Sequence, residues 1–323
     1  MSDDARWMGA AIALGERGRG RTAPNPNVGC LIVSGDRVVG RGWTQAGGRP
    51  HAEAVALADA GDEARGAVAY VTLEPCCHRS GRGPACADSL IEAKVARVVA
   101  AIADPDPRVD GSGLSRLREA GITVKTGVMA AEAERSMAGF LSRVRLGRPY
   151  VTLKLAMSID GKIALPSGES RWITGEDARA HVHGERARSD MILVGRGTYE
   201  ADRPKLDVRL PGLELWSPRR ALLTRGEPVE GWTPLGSPEE IFSLQDVNDL
   251  LVEGGSATAS AFLAADLVDR MLIYRAPILI GEGKSSIGYI GLTDLADAHR
   301  RWRLVDERRL GVDRLERYER ERD

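Results

Sequence analysis

An imidazole and a carboxylate two residues apart, His51-Ala52-Glu53, stand upstream of thiols at Cys76, Cys77 and Cys86. One imidazole and two thiolates form a ligand set for Zn²⁺ that leaves the fourth tetrahedral position to water. Zinc lowers the pKa of such a water toward neutrality and makes it a nucleophile for an amino-bearing ring carbon. A glutamate two residues beyond the histidine can stand beside that water without binding metal, and carry its proton to the departing ammonia. The chemistry implied is hydrolytic removal of a ring amino group.

The order H-x-E followed by P-C-x-x-C marks zinc-dependent deamination of bases, and Pro75-Cys76 supplies the start of its second half. The next cysteine departs from the short form, because nine residues separate Cys76 from Cys86. Cys76 and Cys77 are adjacent and do not readily share one tetrahedral site. Either could be the ligand, and the position directly after Pro75 favours Cys76. Cys30, inside an apolar run, reads as a buried free cysteine. His78 reads as a substrate contact or a partner of the ligands, since a fourth ligand would close the site and make it inert. Two rival readings follow from the same residues. One is a nucleoside or nucleic-acid deaminase with an unrelated second domain. The other is a structural-zinc protein in which His78 completes the site.

These residues need a frame. At about 150 residues per domain, 323 residues predict two domains. The formal charge of −1, from 45 basic and 46 acidic residues, excludes nucleic-acid binding through a large global positive charge. Asp3 and Asp4 precede the first apolar run where a secretion signal needs positive charge. No stretch approaches the roughly 18 apolar residues of a membrane span. With cysteines clustered rather than spread for disulfides, a cytoplasmic location is expected.

Helices are expected over Ser2–Gly18, His51–Gly61, Ala87–Lys94, Leu114–Ala120 and Ala130–Arg145. Val28–Val33 and Arg37–Trp43 read as a hairpin, and Ala67–Leu73, Ala96–Ala103 and Ile122–Val128 as further strands. Strands separated by helices predict a mainly parallel α/β sheet. Gly147-Arg148-Pro149 is a stop signal, which places the domains at residues 1–147 and 148–323.

The second half repeats the logic. Strands are expected at Tyr150–Ser158, Asp190–Gly195, Arg220–Thr224, Asp249–Gly255 and Asp269–Leu279, with helices at Glu176–Arg188 and Ala257–Ala265. Asp202–Arg219, with its prolines, reads as loop. The last segments read as a hairpin turning at Leu310-Gly311, followed by a solvated charged tail. VEGGSATA (Val252–Ala259) runs from a strand through glycines into a helix, an arrangement that can receive phosphate on free N–H groups.

PNPNVGC (Pro24–Cys30), HAE, TLEP (Thr72–Pro75) and the loop CCHRSGRGPAC together closely resemble the bifunctional riboflavin-biosynthesis deaminase–reductases. LKLAMSIDGKIA (Leu153–Ala164), SGESRWITG (Ser167–Gly175) and GRGTYEADRPKLDVR (Gly195–Arg209) resemble the reductase half of the same family. The resemblance implies a cytidine-deaminase-like αβα domain followed by a dihydrofolate-reductase-like α/β domain. It implies His51, Cys76 and Cys86 as ligands of one Zn²⁺, Glu53 as proton shuttle, and Asn25, His78 and Arg82 near the pyrimidine or its ribose phosphate. In the second domain it implies NADPH contacts at Ala156, Trp172, Thr198 and Asp202, and along Gly255–Ala261 beginning with Gly255, Ser256, Ala257 and Thr258. Substrate contacts are implied at Lys154, Ser170, Arg186, Leu206, Arg209 and Glu253. The implied reactions are deamination of diaminohydroxyphosphoribosylaminopyrimidine and then reduction of the ribosyl group of 5-amino-6-(5-phosphoribosylamino)uracil to ribityl. The partners expected are small phosphorylated pyrimidines, with no nucleic acid and no membrane, and the chain is expected to form a homo-oligomer, dimer or tetramer.

Three departures from the family pattern stand out. The loop between the cysteines is one residue longer than usual, and strict spacing would make Cys77 the ligand. Asp106 stands where asparagine is expected. The second half is shorter than usual between Arg209 and Asp249, where an adenosine-side contact near Thr224 would fall.

Overall fold

Short valine- and leucine-rich runs bounded by glycine and polar turns become strands, and the alanine-rich stretches between them become helices. The computed structural model describes residues 3–77, 83–107 and 109–322. The chain divides into two compact units, Met1–Gly147 and Arg148–Asp323.

In the first unit, α1 (Asp3–Gly15) precedes an antiparallel hairpin of β1 (Gly29–Ser34) and β2 (Arg37–Trp43). Then come α2 (Ala52–Ala60), β3 (Val68–Leu73), α3 (Cys86–Glu92), β4 (Arg97–Ile102), α4 (Ser112–Glu119) and β5 (Thr123–Thr126). The unit closes with α5 (Ala130–Ser136) and α6 (Ala138–Leu146). The sheet runs β2-β1-β3-β4-β5, parallel from β3 to β5 and antiparallel about β1. Every residue of β3 and β4 after the first is buried, so both sheet faces are covered. α1 packs with α5, while α2, α3 and α4 pack together.

One close approach sets the frame for the site. A Cβ on Gly42 of β2 would lie 2.1 Å from the carbonyl oxygen of Ala52. Only glycine there lets the first turn of α2, which carries Glu53, press onto the strand. At the far end, α6 stops on Gly147 in the left-handed conformation (φ 69°), its N–H donating to Arg143 O.

The second unit contains β6 (Tyr150–Met157), β7 (Lys162–Ala164), α7 (Glu176–Ala187), β8 (Met191–Gly195), α8 (Arg196–Asp202), β9 (Arg219–Leu223) and β10 (Thr233–Leu235). It continues with β11 (Asp249–Val252), α9 (Ser256–Ala264), β12 (Arg270–Arg275), β13 (Lys284–Ser285), β14 (Trp302–Leu310) and β15 (Asp313–Arg320). Its main sheet runs β10-β9-β8-β11-β6-β12-β15-β14. The strands are parallel from β10 to β12, and β15 and β14 are antiparallel. Leu153, Leu193, Val252 and Phe262 are fully buried at its centre.

The structure differs from the sequence reading in local ways. The helix expected over Ala130–Arg145 breaks at Met137 (φ −104°), whose side chain is fully buried and lies 4.0 Å from the Thr72 hydroxyl. α8 was not anticipated; none of its residues is buried, so it carries no apolar stripe to read. β7, β10 and β13 have two or three residues each, too few to show a period. The strand expected to reach Leu279 ends at Arg275, ahead of Pro277. The charged end is no solvated tail as far as Arg322. Arg320 Nε donates to Asp266 Oδ1 (2.8 Å) and Arg322 Nη1 to Asp269 Oδ1 (2.6 Å), because these two acids stand on the segment between α9 and β12.

Candidate active sites

In the first unit, three chain segments converge on one point. His51 occupies the N-cap position of α2 in extended conformation, and Glu53 lies in the first turn, buried. β3 delivers Glu74-Pro75-Cys76 at its carboxyl end, and Cys86 is the first residue of α3. His51 Nδ1 lies 3.2 Å from Cys86 Sγ and 3.6 Å from Cys76 Sγ. All three ligand atoms are within 4.8 Å of one another. A tetrahedral zinc with nitrogen and sulfur ligands needs such atoms about 3.5–3.8 Å apart, so the cluster fits that ion. Cys77, half-buried, takes no part in it and faces a separate hollow beside Ser112 and Arg116.

A hydrogen bond from Cys86 lowers Cys76 to about 4, and the same pairing raises Cys86 well above an ordinary thiol. The Cys86 N–H also donates to Cys76 Sγ (3.4 Å). His51 is raised, first by its hydrogen bond to Cys76, against the opposing effect of burial. Burial pushes Glu53 up to about 7, with the charge of Cys76 adding to it and that of His51 opposing. A carboxyl poised near neutrality is suited to passing a proton in either direction.

Asn25 lies on the segment that leads into β1, with its amide over the bare face of Gly48, three residues before His51. His78 and Arg82 lie outside the described residues. Cys30 is buried in β1 with no disulfide partner.

The second unit presents a cavity of about 1130 Å³. It opens at the carboxyl ends of β6, β8 and β11, the usual place for ligands on an open parallel sheet. It is lined by Lys154, Ala156, Ser170, Trp172, Arg186, Thr198, Asp202, Leu206, Arg209, Glu253, Gly255, Ser256, Ala257 and Thr258, whereas Ala259, Ser260 and Ala261, further along α9, and Thr224 are not part of its wall.

Register explains its charged centre. β11 pairs with β6 so that Val252 faces Leu153, and the residues that follow, Glu253 and Lys154, come to 3.9 Å. Arg186 on α7 grips Glu253 with both Nε (2.7 Å) and Nη2 (2.9 Å). Its Nη1 donates to Asp207 O (3.0 Å). Burial would raise Glu253, but Arg186, with Lys154 and His183 assisting, holds the carboxyl below its ordinary range. Burial lowers Lys154, with Glu253 opposing.

Leu206 is buried with φ +55°, a strained backbone for a branched residue. Thr198 stands close to the Gly255 turn, 3.7 Å from where a Cβ would be. Trp172 is 66% exposed, with the Arg179 guanidinium 4.7 Å from its ring centre, so it is no core residue. Asp202 accepts from Arg171 Nη2 (2.8 Å).

The sequence reading missed His183, Arg179 and Lys284, which also line the cavity. His183 Nδ1 lies 3.1 Å from Asp207 O. Its place three residues before Arg186, on one helix face, was a readable signal. Lys284 comes from β13, and nothing local marked it.

Residues 1–102 match the cytidine and deoxycytidylate deaminase zinc-binding region, and residues 149–230 with 240–315 match the RibD C-terminal domain. The class is therefore a zinc-type deaminase joined to a reductase. Across 91% of its length the chain is 42% identical to the riboflavin biosynthesis protein RibD of Escherichia coli K12, covering 94% of that protein. It is 40% identical to RibD of Mycobacterium tuberculosis H37Rv, over 95% of each chain. The solved structure of Acinetobacter baumannii RibD superposes with a TM-score of 0.89 at 37% identity, covering 99% of both chains. The deaminase/reductase of Thermotoga maritima does so at 0.88 and 31% identity, covering 98% of both. The chain belongs to the RibD family, the bifunctional deaminase–reductases of riboflavin biosynthesis. Among the described residues no helix is long and apolar enough to cross a membrane.

Proposed function

We propose that residues 1–147 deaminate diaminohydroxyphosphoribosylaminopyrimidine and that residues 148–323 reduce the resulting 5-amino-6-(5-phosphoribosylamino)uracil with NADPH. The observation that carries this reading is the meeting of His51, Cys76 and Cys86 beside the buried carboxyl of Glu53.

His51 and the thiolates of Cys76 and Cys86 would hold the zinc ion. When bound, zinc supplies Lewis acidity that brings a water within reach of deprotonation near neutral pH. Glu53 would take one proton from that water and pass it to the adjacent ring nitrogen as the C–O bond forms, then carry the new hydroxyl's proton to the amino nitrogen, so that the C–N bond breaks, ammonia leaves and the ring carbon keeps a carbonyl oxygen. Asn25 orients the pyrimidine, with His78 and Arg82 assigned to the same substrate.

In the second unit, the free N–H groups of Gly255, Ser256, Ala257 and Thr258 at the start of α9 receive cofactor phosphate, and Ala156, Trp172, Thr198 and Asp202 complete the cofactor wall. NADPH, when bound, supplies the hydride. Arg186 and Arg209 secure the ribose phosphate, and Ser170 and Leu206 shape its bed. Lys154 Nζ donates a proton to the ribose ring oxygen as the C1′–O bond opens, and Glu253 holds that ammonium in place. This reading includes a cytoplasmic location and a homo-oligomer, dimer or tetramer.

Mass spectrometry of products tests the whole scheme. Zinc-replete protein is incubated with the diaminopyrimidine nucleotide, with and without NADPH. Deaminated product alone without NADPH, and its ribityl form with it, is the expected result. Deamination alone in both samples would confine the assignment to the first unit. No conversion in either would overturn it.

A further inference from the structure

Glu74 is a charged residue, 3% exposed, that the chemistry above does not use. It stands between β3 and the Pro75-Cys76 pair, and its own N–H donates to Ile102 O at the end of β4 (3.0 Å). Its Oε2 accepts from Asp104 N (3.1 Å) and Gly111 N (3.2 Å). Its Oε1 accepts from Gly113 N (2.9 Å) and Leu114 N (3.2 Å). A carboxylate offers about four lone-pair directions, and the main chain takes all of them. Gly113 and Leu114 lie in the first turn of α4, where N–H groups have no partner within the helix. The helix's own N-cap, Gly111, supplies no side-chain cap.

A second contact joins the same two segments. A Cβ on Gly113 would lie 1.9 Å from Pro75 O, so the first turn of α4 packs directly on the peptide before Cys76. Cys76 is held in turn, its carbonyl by Ala87 N (3.1 Å) and its sulfur by Cys86 N (3.4 Å). The ligand-bearing arm is thus fixed at three successive residues, and Glu74 is the first.

We propose that Glu74 is a positioning residue for the zinc centre. Its carboxylate staples the Pro75-Cys76 arm to α4 and so sets how tightly His51, Cys76 and Cys86 hold the ion. This rests on the reading of that cluster as the zinc site. A role confined to capping α4 would change thermal stability and leave zinc retention alone.

The test titrates zinc-loaded full-length wild type and E74Q with a chromogenic chelator, and measures both activities on the same samples. Glutamine keeps the size of the side chain but turns an NH₂ toward two of the four donors. Zinc affinity is expected to fall about ten- to hundred-fold, as for other partners of metal ligands. Deaminase turnover falls in step and returns with excess zinc, while the reductase rate stays at the wild-type value. Zinc affinity within two-fold of wild type overturns the proposal, whatever happens to the melting point. If E74Q does not give a folded first unit, E74D decides by the same titration, since it keeps the charge but is one methylene too short to reach all four N–H groups. Weakened zinc binding there supports the proposal and unchanged binding overturns it. A wild-type chain whose His51→Ala and Cys76→Ala variants keep their zinc overturns the zinc-site reading itself, and this proposal with it.

Discussion

The two active sites are built on opposite plans. In the first unit the chemistry sits in four side chains, His51, Glu53, Cys76 and Cys86, drawn from two helix starts and one strand end. In the second, a cavity of about 1130 Å³ is lined by residues from several strands, helices and connecting segments, and its charged centre is one half-buried trio, Lys154, Glu253 and Arg186. The difference follows from what each must hold. A metal ion needs a few donors at fixed short distances, whereas a dinucleotide and a sugar phosphate need many moderate contacts over a long surface. A concentrated site should therefore fail at a single atom, and a distributed one should degrade by degrees.

Glu53→Gln is the sharpest way to break that comparison. It keeps shape and burial but removes the group that carries the proton, so deaminase kcat is expected to fall by about a hundred- to ten-thousand-fold. Reduction of independently supplied aminouracil nucleotide stays unchanged. A fall of less than ten-fold in a product assay would show that the proton moves by another route and that the site is not concentrated on Glu53.

Arg186→Ala probes the nearest thing to a single point of failure in the distributed site. It leaves the half-buried Glu253 without its bidentate partner, and removing one member of such a pair costs more than the pair's own net worth. Reductase kcat/KM should fall by about a hundred-fold, while Thr198→Val, at the cavity wall, should cost about ten-fold or less. Steady-state kinetics on the same uracil nucleotide check both. Equal losses for the two would mean that the charged trio is no more important than the wall around it.

These plans also explain what could be read from the sequence. The ligands were legible because their residue types are scarce and their spacing is chemical. Choosing Cys76 over Cys77 needed the direction of the chain after Pro75, which depends on how Pro75 packs against Gly113 of α4. The cavity was legible position by position from resemblance, but its trio exists only because β11 pairs with β6, a long-range choice that no local pattern records. His183 went unnoticed although it stands on the same helix face as Arg186, because its meaning rests on Asp207 O, which both side chains reach from a different segment. The terminal arginines looked like solvated charge because their partners, Asp266 and Asp269, belong to a different segment, between α9 and β12. Periodicity reports burial; it does not report which charges meet.

The units also differ in how acid should affect them. In the first, hydrogen bonds from Arg97 hold Asp4 at about 2 against the effect of burial, with Lys125 and Tyr70 assisting. In the second, burial raises Asp190 to about 6, and the charge of Asp249 adds to it. Below pH about 4 the folded Asp190 and its unfolded counterpart both carry the proton. As pH rises toward 6 the unfolded chain releases that proton first, so the second unit loses about 3 kcal/mol over this window. Asp4 has the opposite sign. It is ionised in both states above pH about 4, where its native contacts contribute about 2 kcal/mol, and this is lost as pH falls from 4 toward 2. Asp190→Asn should therefore flatten the decline of the second unit between pH 4 and 6. Asp4→Asn should cost the first unit about 2 kcal/mol at pH 7 and nothing near pH 2. Denaturant unfolding at several pH values, followed by hydrogen exchange in β4 and β8 separately, reads each unit on its own. A wild-type slope in Asp190→Asn would show that the Asp190–Asp249 pair does not govern the second unit. A pH-independent deficit in Asp4→Asn would mean that packing at the start of α1, rather than its contacts with Arg97 and Lys125, supplies the stability.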